Sequence, residues 1–371
     1  MRVLYISNFK NLSGWSTQAV NHILALDSAG VEVVPRHFNL LNNLNQDLPE
    51  RVKELEKADD SHPDVIIFNT LPTYYEKTGR SKCVGYYVVE TSNFRASGWA
   101  SHMKLMDALA CPCYHNKQAA VDSGVKEKIH IVPECVDTSR YTRTYPTHQI
   151  RKNNPDKFIF LCVAEWTKRK NIEAVIRAFH TEFSPTEPVE LVIKTTPTGM
   201  QRPESDINGR LESIKRGLKL YNNVDRYKRE NVICGFLSET DMASLMQSSD
   251  CLVNASRGEA FCIPVVDAMG FGKVVISPDH TGLDYVNEKN AYVVDSIEQP
   301  CFEANDTLPE LYTSDEYWHE VRLQALRAHM RSAFEKRTLN LKKIQQARKD
   351  VQEFSIENIG KVYKHTLEKI L

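Results

Sequence analysis

The sequence predicts an α/β protein with two Rossmann-like domains, each a doubly wound parallel sheet. The chain has 371 residues, which exceeds one typical domain and favours two. Runs of consecutive apolar residues alternate with segments of helical periodicity. Strands that are apolar on consecutive positions are typical of a parallel sheet with helices on both faces. We therefore expect ligands to bind in the polar loops at the carboxyl ends of the strands.

The first half of the chain, residues 1–150, is predicted to form the first domain. A helix over 16–29 is indicated by apolar residues at helical spacing, with Ser16 as its cap and Gly30 at its end. The polar stretch 141–156 is predicted to link the two domains. The predicted strands are residues 2–6, 31–34, 64–68, 83–89, 108–113 and 129–132.

The second domain is predicted over residues 151–335, and residues 336–371 are assigned to C-terminal helices. Its first helix is expected at about 172–183, and the charged stretch 315–331 is also predicted to be helical. Two further helices are predicted over 341–351 and 354–371, the last one capped by Ser355. The predicted strands are residues 158–163, 190–194, 251–253 and 274–276.

Composition excludes several classes of protein. The formal net charge of −1 argues against a dedicated nucleic-acid or polybasic membrane surface. No apolar run approaches the roughly 18 residues of a membrane span, although peripheral contact with a membrane stays compatible with this composition. Nine cysteines lie mostly in apolar runs and indicate free thiols in a reducing compartment, which predicts a cytoplasmic protein. Cys111 and Cys113 have no second pair to complete a zinc site, so we expect core packing and no metal.

The strongest candidate site lies between the third and fourth strands of the second domain. Glu259 and Asp267 are eight residues apart and flank a predicted helix start with Pro264 in its first turn. The unpaired N–H groups at this start, near Phe261, Cys262 and Ile263, form a ready site for a phosphate or diphosphate. A carboxylate on each side could hold hydroxyl groups, which matches the sugar, diphosphate and ribose of a nucleotide sugar.

Basic residues at a second helix start favour the same ligand. Lys168, Arg169 and Lys170 precede the helix predicted at 172–183, where their charge opposes the helix dipole. An anionic ligand would resolve that conflict, so Arg169 and Lys170 are candidate diphosphate ligands. Lys194, at the end of the next strand, is a second candidate phosphate ligand.

Two loops of the first domain complete the candidate site. Gly14, in the loop after the first strand, permits close approach of the backbone to a ligand. Glu90 follows another predicted strand and places an acid at its carboxyl end. Both loops are expected to face the second domain across a cleft.

The stretch 254–276 resembles the E-x7-E region of glycosyltransferase family 4, whose members are retaining enzymes of the GT-B fold. The chain departs from the usual pattern at Ala260, Cys262 and Asp267, where the family favours glycine, glycine and glutamate. Glu165 replaces the arginine of a second family motif, so Arg169 or Lys168 would stand in for it, and Lys170 fits that motif's lysine. The positions kept from the E-x7-E pattern are Glu259, Phe261, Pro264, Ala268, Met269, Gly272, Val275 and Ile276.

The resemblance implies a metal-independent hexosyltransferase that uses a nucleoside-diphosphate sugar as co-substrate and needs no other cofactor. It implies a donor domain in the second half, an acceptor-side domain in the first half, and a last helix that crosses back to the first domain. Glu259, Glu90 and Lys170 are the catalytic candidates under this reading. The acceptor would be a glycan, a lipid or another hydroxyl compound.

Three alternatives stay open. A nucleotide-sugar binding protein or a sugar-nucleotide epimerase of the same fold would share the donor site without transfer to an acceptor. A nicotinamide-dependent oxidoreductase would also have Rossmann-like halves, but no G-x-G-x-x-G follows the first strand of either half, which counts against it.

Overall fold

The computed structural model describes residues 1–40, 47–304 and 310–371. The first domain is built on six parallel strands in the order β2-β1-β3-β4-β5-β6. The order reverses between β1 and β3, so the loops that follow these two strands diverge and open a crevice. The strands are β1 (Arg2–Ser7), β2 (Glu32–His37), β3 (Val65–Asn69), β4 (Lys82–Tyr86), β5 (Ala108–Cys111) and β6 (Ile129–Ile131).

Helices cover both faces of this sheet and bury its apolar strands. The largest begins at Gly14, and its cap is Ser13, whose hydroxyl accepts a hydrogen bond from the N–H of Ser16. The predicted cap at Ser16 is therefore wrong by one turn, since the helix begins two residues earlier than the apolar pattern indicates. The elements are α1 (Gly14–Ser28), α2 (Glu50–Leu55), a 3-10 turn (Pro72–Tyr74), α3 (Trp99–Met103) and α4 (Tyr114–Asp122).

The segment between the domains contains short helices. A 3-10 turn (Thr138–Thr142) and α5 (Gln149–Asn153) lie within or beside the stretch 141–156 that was predicted as a linker. Arg151 of α5 donates to the Asp250 carboxylate at 2.5 Å and to the Lys157 carbonyl at 2.7 Å, which fastens this segment to the second domain.

The second domain has a six-stranded parallel sheet in the order β12-β11-β10-β7-β8-β9. Its order reverses between β7 and β10, which are paired side by side through Phe160 and Cys251. The loops after β7 and β10 therefore open the crevice of this sheet. The strands are β7 (Phe158–Val163), β8 (Val189–Thr195), β9 (Asn231–Cys234), β10 (Cys251–Val253), β11 (Val274–Ser277) and β12 (Tyr292–Val293).

Helices again cover both faces of the second sheet. The helix α6 begins at Ile172 and carries its apolar residues on one face, where Val175, Ile176 and Phe179 are buried. The elements are α6 (Ile172–Glu182), α7 (Pro203–Leu218), a 3-10 turn (Val224–Arg226), α8 (Glu239–Ser248), α9 (Ile263–Gly270), α10 (Leu323–Glu335), α11 (Arg337–Asp350) and a 3-10 turn (Val351–Phe354).

An antiparallel hairpin of β13 (Ser296–Pro300) and β14 (Tyr317–Val321) extends from the second domain to the first. The Thr91 hydroxyl donates to the Glu316 carboxylate at 2.6 Å, and the Ser92 N–H donates to the Tyr317 carbonyl at 2.9 Å. The helix predicted over 315–331 is thus wrong in its first half. Trp318 and Val321 are buried in a strand, and the helix begins only at Leu323.

The last helix, α12 (Ile356–Ile370), packs against α1 of the first domain. Its buried face includes Ile359, Tyr363 and Leu367, which belong to the core under the first sheet. The Ser355 hydroxyl caps it by accepting from the N–H of Asn358, as predicted. None of the helices within the described residues is both long and apolar enough to cross a membrane.

Candidate functional site

The loops after β7 and β10 bring a lysine and a glutamate together at the crevice of the second sheet. The Lys170 ammonium lies 2.7 Å from both carboxylate oxygens of Glu259, although the two residues are 89 positions apart in the chain. The Glu259 side chain is 5% exposed, so water screens this pair weakly. The Glu259 N–H is held by the Thr281 hydroxyl at 3.0 Å, and this fixes the loop.

Arg169 connects this pair to the first domain. Its guanidinium donates to the Gly258 carbonyl at 2.9 Å and lies 3.5 Å from Glu259 and 3.3 Å from Glu90. The Glu90 carboxylate also accepts from the Tyr312 hydroxyl at 2.9 Å. We call Glu90, Arg169, Lys170 and Glu259 the charge cluster. It joins residues predicted separately as catalytic and donor-binding.

Ionisation of the charge cluster depends on its cations. Burial alone would raise the pKa of Glu259, but the charges of Lys170 and Arg169 and the hydrogen bond from Lys170 outweigh it and lower that pKa. Glu259 is therefore a carboxylate at neutral pH. The cluster contains two carboxylates and two cations, so a bound diphosphate would compete with Glu259 for Lys170.

The helix start beside the cluster is free of internal caps. The cap residue of α9, Cys262, has a left-handed φ of 66° and no side-chain hydrogen bond to the helix. Among the described residues, the N–H groups of Phe261, Cys262 and Ile263 donate no hydrogen bond. These donors and the positive end of the helix dipole are available to an anion. The Phe261 ring is buried and packs against Tyr285, so the residue would contact an anion through its backbone N–H.

Asp267 lies within α9 and is already hydrogen-bonded. Its carboxylate accepts from the Tyr141 hydroxyl at 2.8 Å and lies 3.5 Å from the Arg140 guanidinium. Burial raises its pKa, which Arg140 and the Tyr141 hydrogen bond oppose. Its side chain is 13% exposed. The ribose contact stays a prediction, and a ribose would have to share this carboxylate with the segment between the domains.

The remaining basic candidates separate in space. Lys168 forms an ion pair with Glu303 at 2.6 Å and so does not join the charge cluster. Lys194 is 8% exposed at the end of β8, and burial lowers its pKa. Within the described ranges, its ammonium has no hydrogen bond or ion pair. A buried cation of this kind is suited to an anionic or strongly polar ligand.

The first-domain side of the crevice is formed by the loop after β1. Gly14 is the first residue of α1, and a Cβ atom placed there would meet nothing within 4 Å. The space in front of this helix start is therefore open. Trp15 donates to Asn69 at 3.3 Å, which ties the start of α1 to the end of β3.

Sequence reasoning missed two residues of the site. Tyr312 reaches Glu90 from the hairpin, and no local pattern indicates this contact. Glu134 follows β6 and is 8% exposed near the charge cluster. Its signal was an acid placed between Pro133 and Cys135 in an otherwise apolar run.

No group of three or more histidine, cysteine, aspartate or glutamate side chains that could hold a metal ion occurs in the described part of the chain. Cys111 and Cys113 are buried free thiols.

One segment of the chain is similar in sequence to known proteins. Residues 146–300 match the family model of glycosyl transferases group 1. Over 135 residues, 36% of this chain, the sequence is 29% identical to the serotype-specific mannosyltransferase WbdA of Escherichia coli. The match spans 15% of that relative's length, and 14% of the length of a second WbdA sequence that is also 29% identical.

Solved structures share the fold along the whole chain. The HepE protein of Anabaena in complex with UDP has a TM-score of 0.65 at 14% identity, with 100% of both chains covered. A glycosyltransferase from Rickettsia africae has a TM-score of 0.68 at 14% identity, and the match covers 100% of this chain and 98% of that protein. The trehalose-6-phosphate synthase OtsA has a TM-score of 0.69 at 10% identity, with full coverage of both. The chain thus has the GT-B fold, and its residues 146–300 are similar to the glycosyl transferases group 1 family.

Proposed function

We propose that the protein is a retaining glycosyltransferase that moves a hexose-type sugar from a nucleoside-diphosphate sugar to a hydroxyl acceptor. The observation that carries this proposal is the meeting of Lys170, Glu259 and the uncapped start of α9 at the crevice of the second sheet. Each of these groups suits one part of a nucleotide sugar. The domain match at 146–300 supports the same class of reaction.

In this proposal the donor lies across the start of α9. The diphosphate takes the N–H groups of Phe261, Cys262 and Ile263, and Lys170 and Arg169 neutralise its charge. Glu259 orients the sugar hydroxyls, and Asp267 contacts the ribose. Lys194 is assigned to the donor as a further polar contact.

Departure of the diphosphate is the step that most needs stabilisation, because negative charge grows on its bridging oxygen. Preorganised donors and cations in a water-poor crevice stabilise such charge strongly. Lys170, Arg169 and the helix start supply this here, so we propose that transfer requires no divalent ion and no cofactor beyond the nucleotide sugar.

Retention of the anomeric configuration follows in this proposal from attack on the face that the diphosphate leaves. Glu90 and Glu259 are both engaged in ion pairs, which argues against either one as a free nucleophile. NMR of the first product formed reads its anomeric configuration. A product with inverted configuration would contradict this part of the proposal.

The relatives guide the choice of substrates. The matched Escherichia coli proteins are named mannosyltransferases, and the Anabaena structures hold UDP or UDP-glucose. We therefore propose mannose and glucose donors as the first to test.

The acceptor would enter from the first domain, residues 1–150, and the donor would be held by residues 151–335, with residues 336–371 joining the two. Free cysteines throughout the described residues support a reducing compartment, the cytoplasm.

Nucleotide binding is the first test. Calorimetry with UDP and GDP, each with and without EDTA, is expected to show binding of one nucleotide that EDTA does not change. Complete loss of binding in EDTA would contradict the proposal. A panel of UDP-, GDP- and ADP-sugars then identifies the donor by release of free nucleotide. Release that depends on an added acceptor separates transfer from hydrolysis or epimerisation.

The role of Glu259 is tested by Glu259→Gln. We expect the variant to lose turnover far more than affinity for free nucleotide, because a nucleotide without its sugar does not reach this side chain. The matched control is Glu173→Gln, which removes an exposed carboxylate paired with Arg177 on the surface of α6. Equal losses of turnover in both variants would remove Glu259 from the reaction.

A further inference from the structure

Glu134 lies on a rigid backbone segment that contacts both domains. It follows β6 in a segment held by neighbouring hydrogen bonds, since the Cys135 carbonyl accepts from Asn21 at 2.8 Å and the Val132 carbonyl accepts from Tyr86 at 3.1 Å. Two residues later, the Val136 N–H donates to the Phe354 carbonyl at 2.9 Å. The backbone that carries Glu134 is therefore fixed from both domains.

The Glu134 carboxyl has no partner in the described residues. It is 8% exposed, yet it takes part in no hydrogen bond and no ion pair there. Its oxygen atoms are not fully enclosed, so water or a ligand can reach them. A substrate hydroxyl that bonds to this carboxyl would supply a hydrogen bond that the described residues do not supply.

The surroundings of Glu134 place it at the proposed donor site. Its carboxyl interacts electrostatically with Glu259, Glu90 and Lys170 of the charge cluster. The preceding residue, Pro133, lines a cavity of about 180 Å³ between the domains, together with Phe261 and Tyr285. Glu134 thus lies near the cluster, and the residue before it lines a space that a ligand could fill.

These surroundings also fix its protonation. Burial raises the pKa of Glu134 to about 8, the negative charges of Glu259 and Glu90 act in the same direction, and Lys170 opposes them. A neutral carboxyl donates one hydrogen bond and accepts others, as a sugar hydroxyl does. The other titratable groups around it stay neutral to higher pH, because burial raises the pKa of each well above its ordinary value: Tyr5, Tyr86, Tyr285 and Cys135.

We propose that Glu134 is a protonated carboxylic acid that hydrogen-bonds a hydroxyl group of the substrate in the cleft. This inference rests on the proposed function, and it adds a residue and a protonation state to it. The hydroxyl belongs either to the donor sugar or to the acceptor, since both offer the same chemistry. Glu134 would contact the substrate directly, in its neutral form.

The test compares two substitutions of Glu134. Glu134→Gln keeps a neutral group that donates and accepts, whereas Glu134→Leu keeps the approximate size and removes both abilities. We expect Glu134→Leu to raise one KM by about tenfold, as loss of a hydrogen bond to a hydroxyl does, and Glu134→Gln to stay within about threefold of the wild type. A rise in the donor KM assigns the hydroxyl to the donor sugar, and a rise in the acceptor KM assigns it to the acceptor. Affinity for UDP or GDP alone should not change.

The pH profile separates a neutral acid from a carboxylate. Wild-type substrate affinity should fall as the pH rises through about 8, and Glu134→Gln should not show this fall. Glu357→Gln, which removes an exposed carboxylate at the start of α12, is the control and should behave as the wild type does. The proposal is overturned if Glu134→Leu leaves both KM values unchanged, or if Glu134→Gln loses as much as Glu134→Leu.

Infrared difference spectroscopy keeps the test independent of turnover. A protonated carboxyl band at neutral pH that disappears in Glu134→Gln would support the neutral acid even if no donor were turned over. Absence of such a band in the wild type would overturn the inference while leaving the proposed glycosyltransferase activity intact.

Discussion

The two domains approach closely at Gly258, and Gly258→Ala tests whether that approach matters. A Cβ atom at residue 258 would lie 2.0 Å from the Glu90 carbonyl oxygen, a distance that real Cβ contacts do not show. The φ angle of Gly258 is not in the left-handed region, so the backbone itself accepts alanine. The substitution therefore acts by separating the Glu90 loop from the Glu259 loop.

The size of the effect follows from the displacement. Relief of the clash needs a shift of about 1 Å, and a misplacement of this size in an active site can lower the rate by about 10²-fold. We expect Gly258→Ala to lower kcat by about two orders of magnitude. Affinity for free nucleotide should change little, since the start of α9 and Lys170 both belong to the second domain.

The assay is initial-rate kinetics on the donor found by the panel, with calorimetry for the free nucleotide. Gly217→Ala on α7 is the matched control, because a Cβ atom there meets nothing within 4 Å. Wild-type kcat in Gly258→Ala, with the protein folded by circular dichroism, would refute the argument that close apposition of the two loops supports turnover.

The remaining predictions concern single side chains. Lys170→Ala should weaken donor binding by about 10- to 150-fold, the value of a charge-assisted phosphate contact. The control Arg177→Ala should leave donor binding unchanged. Calorimetry that finds equal affinities in the two variants would reject the role of Lys170. Asp267→Asn should weaken nucleotide binding. Tyr141→Phe separates a contact of this carboxylate with the ribose from its hydrogen bond to the interdomain segment. An equal loss of nucleotide affinity in Tyr141→Phe would mean that Asp267 serves the interdomain segment and not the ribose. Glu230→Gln should lower the free energy of unfolding at pH 7 by about 3–5 kcal/mol, because it leaves the buried Lys215 ammonium without its carboxylate. Burial raises the pKa of Glu230, but the hydrogen bonds and ion pairs of its carboxylate outweigh burial and lower this pKa below the ordinary 4.5. The stabilisation from the ionised Glu230 is therefore present above pH 4.5 and is lost as the pH falls through the lowered pKa. Urea denaturation at pH 7 and pH 3 measures the difference in the free energy of unfolding between the wild type and Glu230→Gln. A difference that is as large at pH 3 as at pH 7 would contradict the prediction.

The fold could be predicted because its strands are buried on both faces. All residues of β3 and β8 are buried, so their apolar runs stand out against the amphipathic helices. The hairpin was missed because its strands are short and charged. Only Trp318 and Val321 of β14 are fully buried, and the acidic and basic residues beside them resemble a solvated helix face.

The candidate site could be predicted only in part from the sequence. Helix starts are local, so Lys170 and the start of α9 could be proposed from spacing and charge. The pairing of Lys170 with Glu259, the contact of Tyr312 with Glu90 and the position of Glu134 depend on how distant loops meet. No pattern within one segment carries that information.

The hairpin also changes how the cleft can move. Two domains that are joined along one side can rotate apart about that side, and few other contacts between them are broken. Here the hairpin adds a further connection between the domains, through Thr91 with Glu316 and Ser92 with Tyr317, and Leu311 is buried in the first-domain core. Widening the cleft must break these contacts together or carry the hairpin along. Under the proposed function, substrate entry and product release would require these contacts to break or the hairpin to move, and the strength of the contacts could limit the rate of product release.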